Sequence, residues 1–183
     1  MIIGMRGHDF GRMEPRALAL AIREAGFEAT QLAFAKAFPS PAEQYMTPGA
    51  LSEIRSAFAG IVLPVMGCYV SASDRDPDVL AEAKARFKRS LSASVILGAG
   101  CVGTETTHFT FPESEREAAY ARLLDFTREV CAHAEQVHAL VGIEPVALHT
   151  LNTPELARRL IADVSSPNLR VILDTANLVT PET

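Results

Sequence analysis

Short apolar runs rich in β-branched residues recur along the chain, and between them lie longer stretches in which apolar positions return every three or four residues. The first pattern marks buried strands and the second amphipathic helices. Their regular alternation is that of parallel strands linked by crossover helices. It predicts strands at 2–5, 29–34, 61–65, 100–104, 142–146 and 170–174. In the longest helical stretch Leu123, Val130, Ala134, Val137 and Val141 share one stripe, with Glu129, His133 and Glu135 facing elsewhere, so this helix covers a sheet on one side only.

Cap chemistry sharpens the helix starts. Thr47-Pro48, Asp76-Pro77 and Thr153-Pro154 each place an oxygen-bearing cap before a proline at the first helical position. Gly26, Gly60, Gly98 and Gly142 are the expected stops, since a left-handed residue commonly closes the last turn. Six strand-helix units leave two closures open: a doubly wound sheet, or part of an eight-unit barrel, which needs roughly 250 residues. The Thr180-Pro181-Glu182 triplet repeats the one at 153–155 that opens a helix. A further helix is therefore expected to start there, with about two more units needed to close a barrel. The expectation is one α/β domain over residues 1–183, a (β/α)8 barrel represented by about six units.

The 183 residues carry a formal charge of −5 and a pI near 5.5, so a basic surface able to meet a nucleic-acid backbone is not expected. Three cysteines, Cys68, Cys101 and Cys131, are odd in number and lack a C-x-x-C pair, which fits a reducing, cytoplasmic compartment. The N-terminal MIIGMRGHDF has neither a signal-peptide pattern nor a membrane-length apolar run. Gly98-Ala99-Gly100-Cys101-Val102-Gly103 has the letters of a dinucleotide fingerprint in reversed context, closing a helix and entering a strand. His133 and His138 stand five apart on one helix and point to different sides. Lys84, Arg86, Lys88 and Arg89 read as a solvated helix face.

Chemistry in a parallel barrel gathers at the C-terminal ends of the strands. There the sequence offers His8 and Asp9 after strand one, Glu105 after strand four, Glu144 within strand five and Asp174 at the end of strand six. A carboxylate in an apolar strand is costly to bury, and several converging ones repel unless a cation lies between them. A lone strand-end acid is equally well a salt bridge or a cap; Glu144 and Asp174 on consecutive strands point to a shared site.

The segments GIEPVALHTLNTPE and NLRVILDTANLV, supported by EATQLAF, PVMGCYVSASDRDPD and GTET, resemble the sugar phosphate isomerase/epimerase group of xylose-isomerase-like barrels, to which endonuclease IV is related. The resemblance implies a divalent metal, Mn, Mg, Co or Zn, held by Glu144 and Asp174 with a histidine and a glutamate from two later strands that the 183 residues do not supply. It also implies that Glu144 carries a proton during enediolate chemistry on a small sugar, polyol or sugar phosphate. Asn177 stands where many members of the group have histidine and is expected, with Glu105, His149 and His8, to contact substrate; His149 reads equally as a loop residue bonded to backbone. Two rival readings remain: an endonuclease IV-like hydrolase, poorly matched by five histidines and an acidic balance, and a non-catalytic binding protein or barrel remnant. Unpaired sheet edges would favour a homo-oligomer.

Overall fold

Pro48, Pro77 and Pro154 each stand at the start of a helix, and the preceding Thr47, Asp76 and Thr153 accept hydrogen bonds from the backbone N–H groups of Ala50, Asp78 and Leu156. In the computed structural model, which describes residues 1–179, these are three of six helices: α1 (Pro15–Glu24), α2 (Phe34–Ala37), α3 (Pro48–Ala57), α4 (Pro77–Leu97), α5 (Arg116–Val137) and α6 (Pro154–Val164). They alternate with six strands, β1 (Gly4–Arg6), β2 (Ala29–Gln31), β3 (Val65–Gly67), β4 (Cys101–Glu105), β5 (Val141–Glu144) and β6 (Leu169–Val171). All ladder pairs are parallel. The expected helix at Thr180-Pro181-Glu182 lies outside the described residues.

The strands follow one another in chain order, β1-β2 and β3-β4-β5-β6, with β2 joined to β3 by the bridges Ala29↔Val62 and Leu32↔Met66. The register between those bridges shifts by one residue, at the point where Pro64 brings no N–H to the ladder. For that reason the third strand lies at 65–67 rather than at the expected 61–65, although Leu63 and Pro64 still offer carbonyls to Gly100 and Cys101 at 2.8 and 3.1 Å.

Alternation divides each strand between two layers. Val102, Val141 and Ile143 face the helices and are fully buried. Gly103 and Gly142 face inward, where a Cβ would come within 2.6 and 2.9 Å of the Ile172 Cδ1 methyl, so the absence of side chains makes room for Ile172. Gly142 is thus a strand residue and not the expected helix stop, and Val141 belongs to β5 rather than to the stripe of α5. The last turn of α5 is closed instead by His138, at φ 58°. Gly26, Gly60 and Gly98 do take positive φ where expected.

The helix layer holds most of the core. Phe87 of α4 and Phe126 of α5 are fully buried and meet edge to face at 5.6 Å; burying each such ring contributes about 1.5–3 kcal/mol. On the outside of the same helix pair, the expected solvated run is an ion-pair seam. Lys84 reaches Asp125 and Glu129, at 2.5 and 2.8 Å, and Lys88 reaches Glu129 at 2.5 Å. Among the described residues no helix is long and apolar enough to cross a membrane.

Candidate active site at the carboxyl ends of the strands

Residue parity brings the acidic groups together. Glu105 lies two residues beyond Gly103 and Glu144 two beyond Gly142, so both carboxylates leave their strands on the inward layer, and they are direct partners in the β4–β5 register. Asp174 has the parity of the inward-facing Ile172 but stands three residues past the end of β6. The expected strand at 170–174 therefore ends early. Asp174 instead turns the chain: its Oδ1 accepts from the backbone N–H of Ala176 at 2.9 Å and of Asn177 at 3.4 Å. That turn aims the Asn177 amide back across the site, where Nδ2 donates to Glu144 Oε1 at 2.6 Å. Asn177 is thereby bonded to both Glu144 and Asp174.

Glu144 is nearly buried, with 8% of its surface exposed. Burial pushes its carboxyl above the usual range; the Asn177 hydrogen bond pulls it back, and the charges of Glu105 and Asp174 push it up again. This is a carboxylate whose ionised form is stabilised chiefly by one amide against burial and two like charges.

The loops after β3, β4 and β5 are laced together above these acids. Ser73 Oγ meets Thr150 Oγ1 at 2.7 Å, Thr150 N–H donates to the Thr107 carbonyl at 2.9 Å, and Arg116 donates to the carbonyls of His149 and Thr150 at 3.0 and 3.1 Å. The lacing fixes His149, whose Nε2 lies 3.9 Å from Glu105 Oε2 and whose Nδ1 is buried without a partner. Burial lowers the imidazole below its ordinary value although Glu105 pulls the other way, so the ring is neutral at pH 7 and its nitrogens remain available to a ligand.

His8 lies in the 3-10 turn Gly7–Phe10 after β1, with Nδ1 buried and unpartnered. Asp9 accepts from Arg6 Nε at 3.0 Å through Oδ2.

Three further rim residues escaped the sequence reading: Gln31, Lys36 and Tyr69. Gln31 Nε2 donates to the Tyr69 hydroxyl at 2.8 Å, and Lys36 Nζ sits 3.7 Å above the Tyr69 ring. Burial, then the charges of Glu105 and Glu144, raise the Tyr69 phenol above its usual value, so it keeps its proton. The strand at 29–34 had hidden this cluster: the chain leaves β2 after Gln31 and turns into α2, which carries Lys36 back over the rim.

The oxygen-only set of Glu144, Asp174 and the neighbouring Glu105 is the donor chemistry that a hard divalent cation accepts. The repulsion that raises Glu144 is the kind a cation relieves. Among the described residues, however, no three histidine, cysteine or carboxylate groups converge closely enough to enclose an ion. Among the described residues a full shell is not built from this set.

Comparison with known proteins agrees with the architecture. A family model described as xylose isomerase-like TIM barrel matches residues 19–182. The structure is similar to a D-psicose 3-epimerase crystallised with D-fructose, with TM-score 0.78 and 21% identity over 97% of this chain and 65% of that one. It is similar to the 3-keto-D-glucoside 4-epimerase YcjR of E. coli, with TM-score 0.78 and 17% identity over 93% and 67%. It also resembles the IOLI protein with a bound zinc atom, with TM-score 0.79 and 18% identity over 97% and 64%. The chain thus spans about two thirds of the length of these proteins. A search of curated protein sequences gives no match.

Proposed function

Because the chain belongs to the xylose isomerase-like TIM barrel family, we propose that it acts in sugar isomerisation or epimerisation, moving a proton at a carbon beside a carbonyl of a small sugar, polyol or sugar phosphate. The observation that carries this reading is Glu144, an inward-facing, nearly buried carboxylate raised by its surroundings and held in place by Asn177. Ionised, Glu144 takes the proton from carbon; protonated, it returns it, and the upward shift of its carboxyl favours the second role more than for an exposed glutamate. The Asn177 amide holds Oε1 of Glu144, leaving the second oxygen for the substrate. Glu105 and the neutral His149 stand beside it on the rim as hydrogen-bonding partners for substrate hydroxyls, with His8 at the edge of the same layer. A divalent cation held by Glu144 and Asp174, when bound, supplies Lewis-acid stabilisation of the negative charge that develops on the sugar oxygens. The IOLI relative with its zinc atom and the epimerase crystallised with D-fructose support this assignment of metal and substrate class.

A second reading, which the sequence also left open, is a barrel that binds a small molecule without turning it over. One experiment separates the two. The chain and its Glu144→Gln variant are dialysed against Mn²⁺ or Zn²⁺, analysed for retained metal, and incubated in D₂O with a panel of ketoses. The enzyme reading expects retained metal and deuterium at the carbon beside the carbonyl for the parent, both strongly reduced in Glu144→Gln. Equally negligible metal and exchange in both proteins would leave only the binding reading.

A further inference from the structure

The loops that leave β4 and β5 meet as a miniature antiparallel ladder. Phe109 N–H donates to the Leu148 carbonyl and Thr150 N–H to the Thr107 carbonyl, both at 2.9 Å, and between those bonds His108 stands directly opposite His149. A facing pair that exchanges no hydrogen bonds of its own is the kind whose side chains approach most closely on one side of a ladder. The two ring centres are 5.7 Å apart, with an angle of 63° between the planes. The backbone beneath them is held from outside. Arg116 binds the carbonyls of His149 and Thr150 while its guanidinium lies 4.1 Å from the centre of the Phe109 ring, and Leu151 N–H donates to Thr106 Oγ1 at 3.1 Å.

This spacing suits a chelate. Bonds from imidazole nitrogen to zinc are about 2.1 Å long, so two rings that share one ion have their centres within about 6.4 Å of each other. The His108–His149 separation lies inside that limit without any movement of the backbone, and the exposed His108 can turn about its side-chain bonds to aim a nitrogen. Glu105 puts negative charge beside the pair: its Oε2 is 3.9 Å from His149 Nε2, beyond hydrogen-bonding reach. Two neutral rings in edge-to-face contact make no use of that charge. A cation between the rings answers both the charge and the nitrogen lone pairs.

We propose that His108 and His149 form a two-imidazole chelate for one divalent ion of the zinc, cobalt or nickel type, with Glu105 as its neighbouring countercharge. Imidazole suits such ions, whereas magnesium and calcium take oxygen ligands. Among the described residues no third side chain closes a shell around the pair, so the remaining coordination positions are open to water or to an oxygen of a bound molecule. The chelate uses neither Glu144 nor Asp174 and does not rest on the proton-transfer reading above.

The test is a Zn²⁺ titration of the Glu144→Gln chain, in which the acidic pair is disabled, with the imidazole signals of its five histidines followed by NMR. The His108 and His149 signals should move together and saturate at one ion, while those of His133 and His138 stay in place; Mg²⁺ should move none of them. Adding His108→Ala, a change at an exposed loop position, should weaken Zn²⁺ binding at His149 at least tenfold, because a chelate is reduced to a single imidazole. Unchanged amide signals of Thr107 and Thr150 in that variant would show that the ladder survives and that the loss belongs to the missing ring. A response from only one of the two rings, or equal Zn²⁺ affinity with and without His108, would overturn the chelate. The two proposals fail separately. Absent deuterium exchange in the unsubstituted chain counts against proton transfer and leaves the zinc titration to decide this site.

Discussion

At the scale of single residues, the site turns on how one buried carboxylate is kept usable. Glu144 loses most of its water and gains two like-charged neighbours, and the Asn177 amide is the strongest influence in the opposite direction. Removing that amide should therefore move the Glu144 titration further upward, since the hydrogen bond favours the charged form. Asn177→Ala followed by ¹³C NMR of the glutamate side-chain carboxyls, with the Glu144 signal assigned from its loss in Glu144→Gln, should show that signal's titration displaced to higher pH; an unchanged curve would mean that water replaces the amide at no cost. Glu144 and Asp174 could be found in the sequence because a carboxylate inside or just after an apolar run is conspicuous without any knowledge of the fold. The same holds for Glu105 and for the two histidines of the rim. Lys36, Gln31 and Tyr69 could not, because a lysine and a glutamine near the end of a strand are ordinary surface residues until β2 and β3 are set in register and α2 folds back over them. Asn177 was legible as a departure from a familiar pattern, yet its bond to Glu144 depends on a turn made by Asp174 itself.

At the scale of elements, the helix starts were written locally and the strand ends were not. Threonine or aspartate before proline acts through a bond two or three residues away, so Thr47, Asp76 and Thr153 cap as read. Strand limits depend on partners: Pro64 shifts β3, and β6 gives way to the Asp174 turn. The end of α5 was missed because His138 adopts a left-handed conformation that glycine normally signals. Pairing between elements has its own pH signature. The Lys84 and Lys88 ammonium groups hold the Glu129 carboxyl below its ordinary value, so the folded chain binds fewer protons there than the unfolded one. The stabilisation is complete above the unfolded carboxyl value and is lost as pH falls through the lower, folded one. Because Glu129 is partly exposed, the effect is modest and salt-sensitive. Melting temperatures of the parent and Glu129→Gln should differ at pH 7 in low salt and converge as the pH is lowered through the carboxylate range. A gap that persists in acid would assign the difference to packing of the side chain rather than to its charge.

At the scale of the whole molecule, strand-helix alternation alone left an open sheet and a barrel equally possible, because both bury the helix-facing layer in the same way. What separates them is the inward layer. Gly103 and Gly142 clear a place for Ile172, and Glu105 and Glu144 lie side by side at the top of the same layer. Neither feature can be weighed before register is known. The described residues leave β1 with a single neighbour, β2, and β6 with a single neighbour, β5. Beside those two strands Ile2, Ile3 and Leu173 are 58%, 56% and 71% exposed. Unpaired strand edges next to exposed apolar side chains attract further chain, since pairing satisfies backbone N–H and C=O groups and removes apolar surface together. Sedimentation of the 183-residue chain should accordingly depend on concentration, with dimers or larger species at tens of micromolar, as expected for edges of this kind. Placing a lysine at the edge opposes pairing, so Ile3→Lys combined with Leu173→Lys should move the distribution towards monomer while leaving the Phe87–Phe126 core and the circular dichroism spectrum intact. A parent chain that sediments as a single monomeric boundary across that range would show that the two edges are protected within one molecule, and that the apolar side chains beside them are not interaction surfaces.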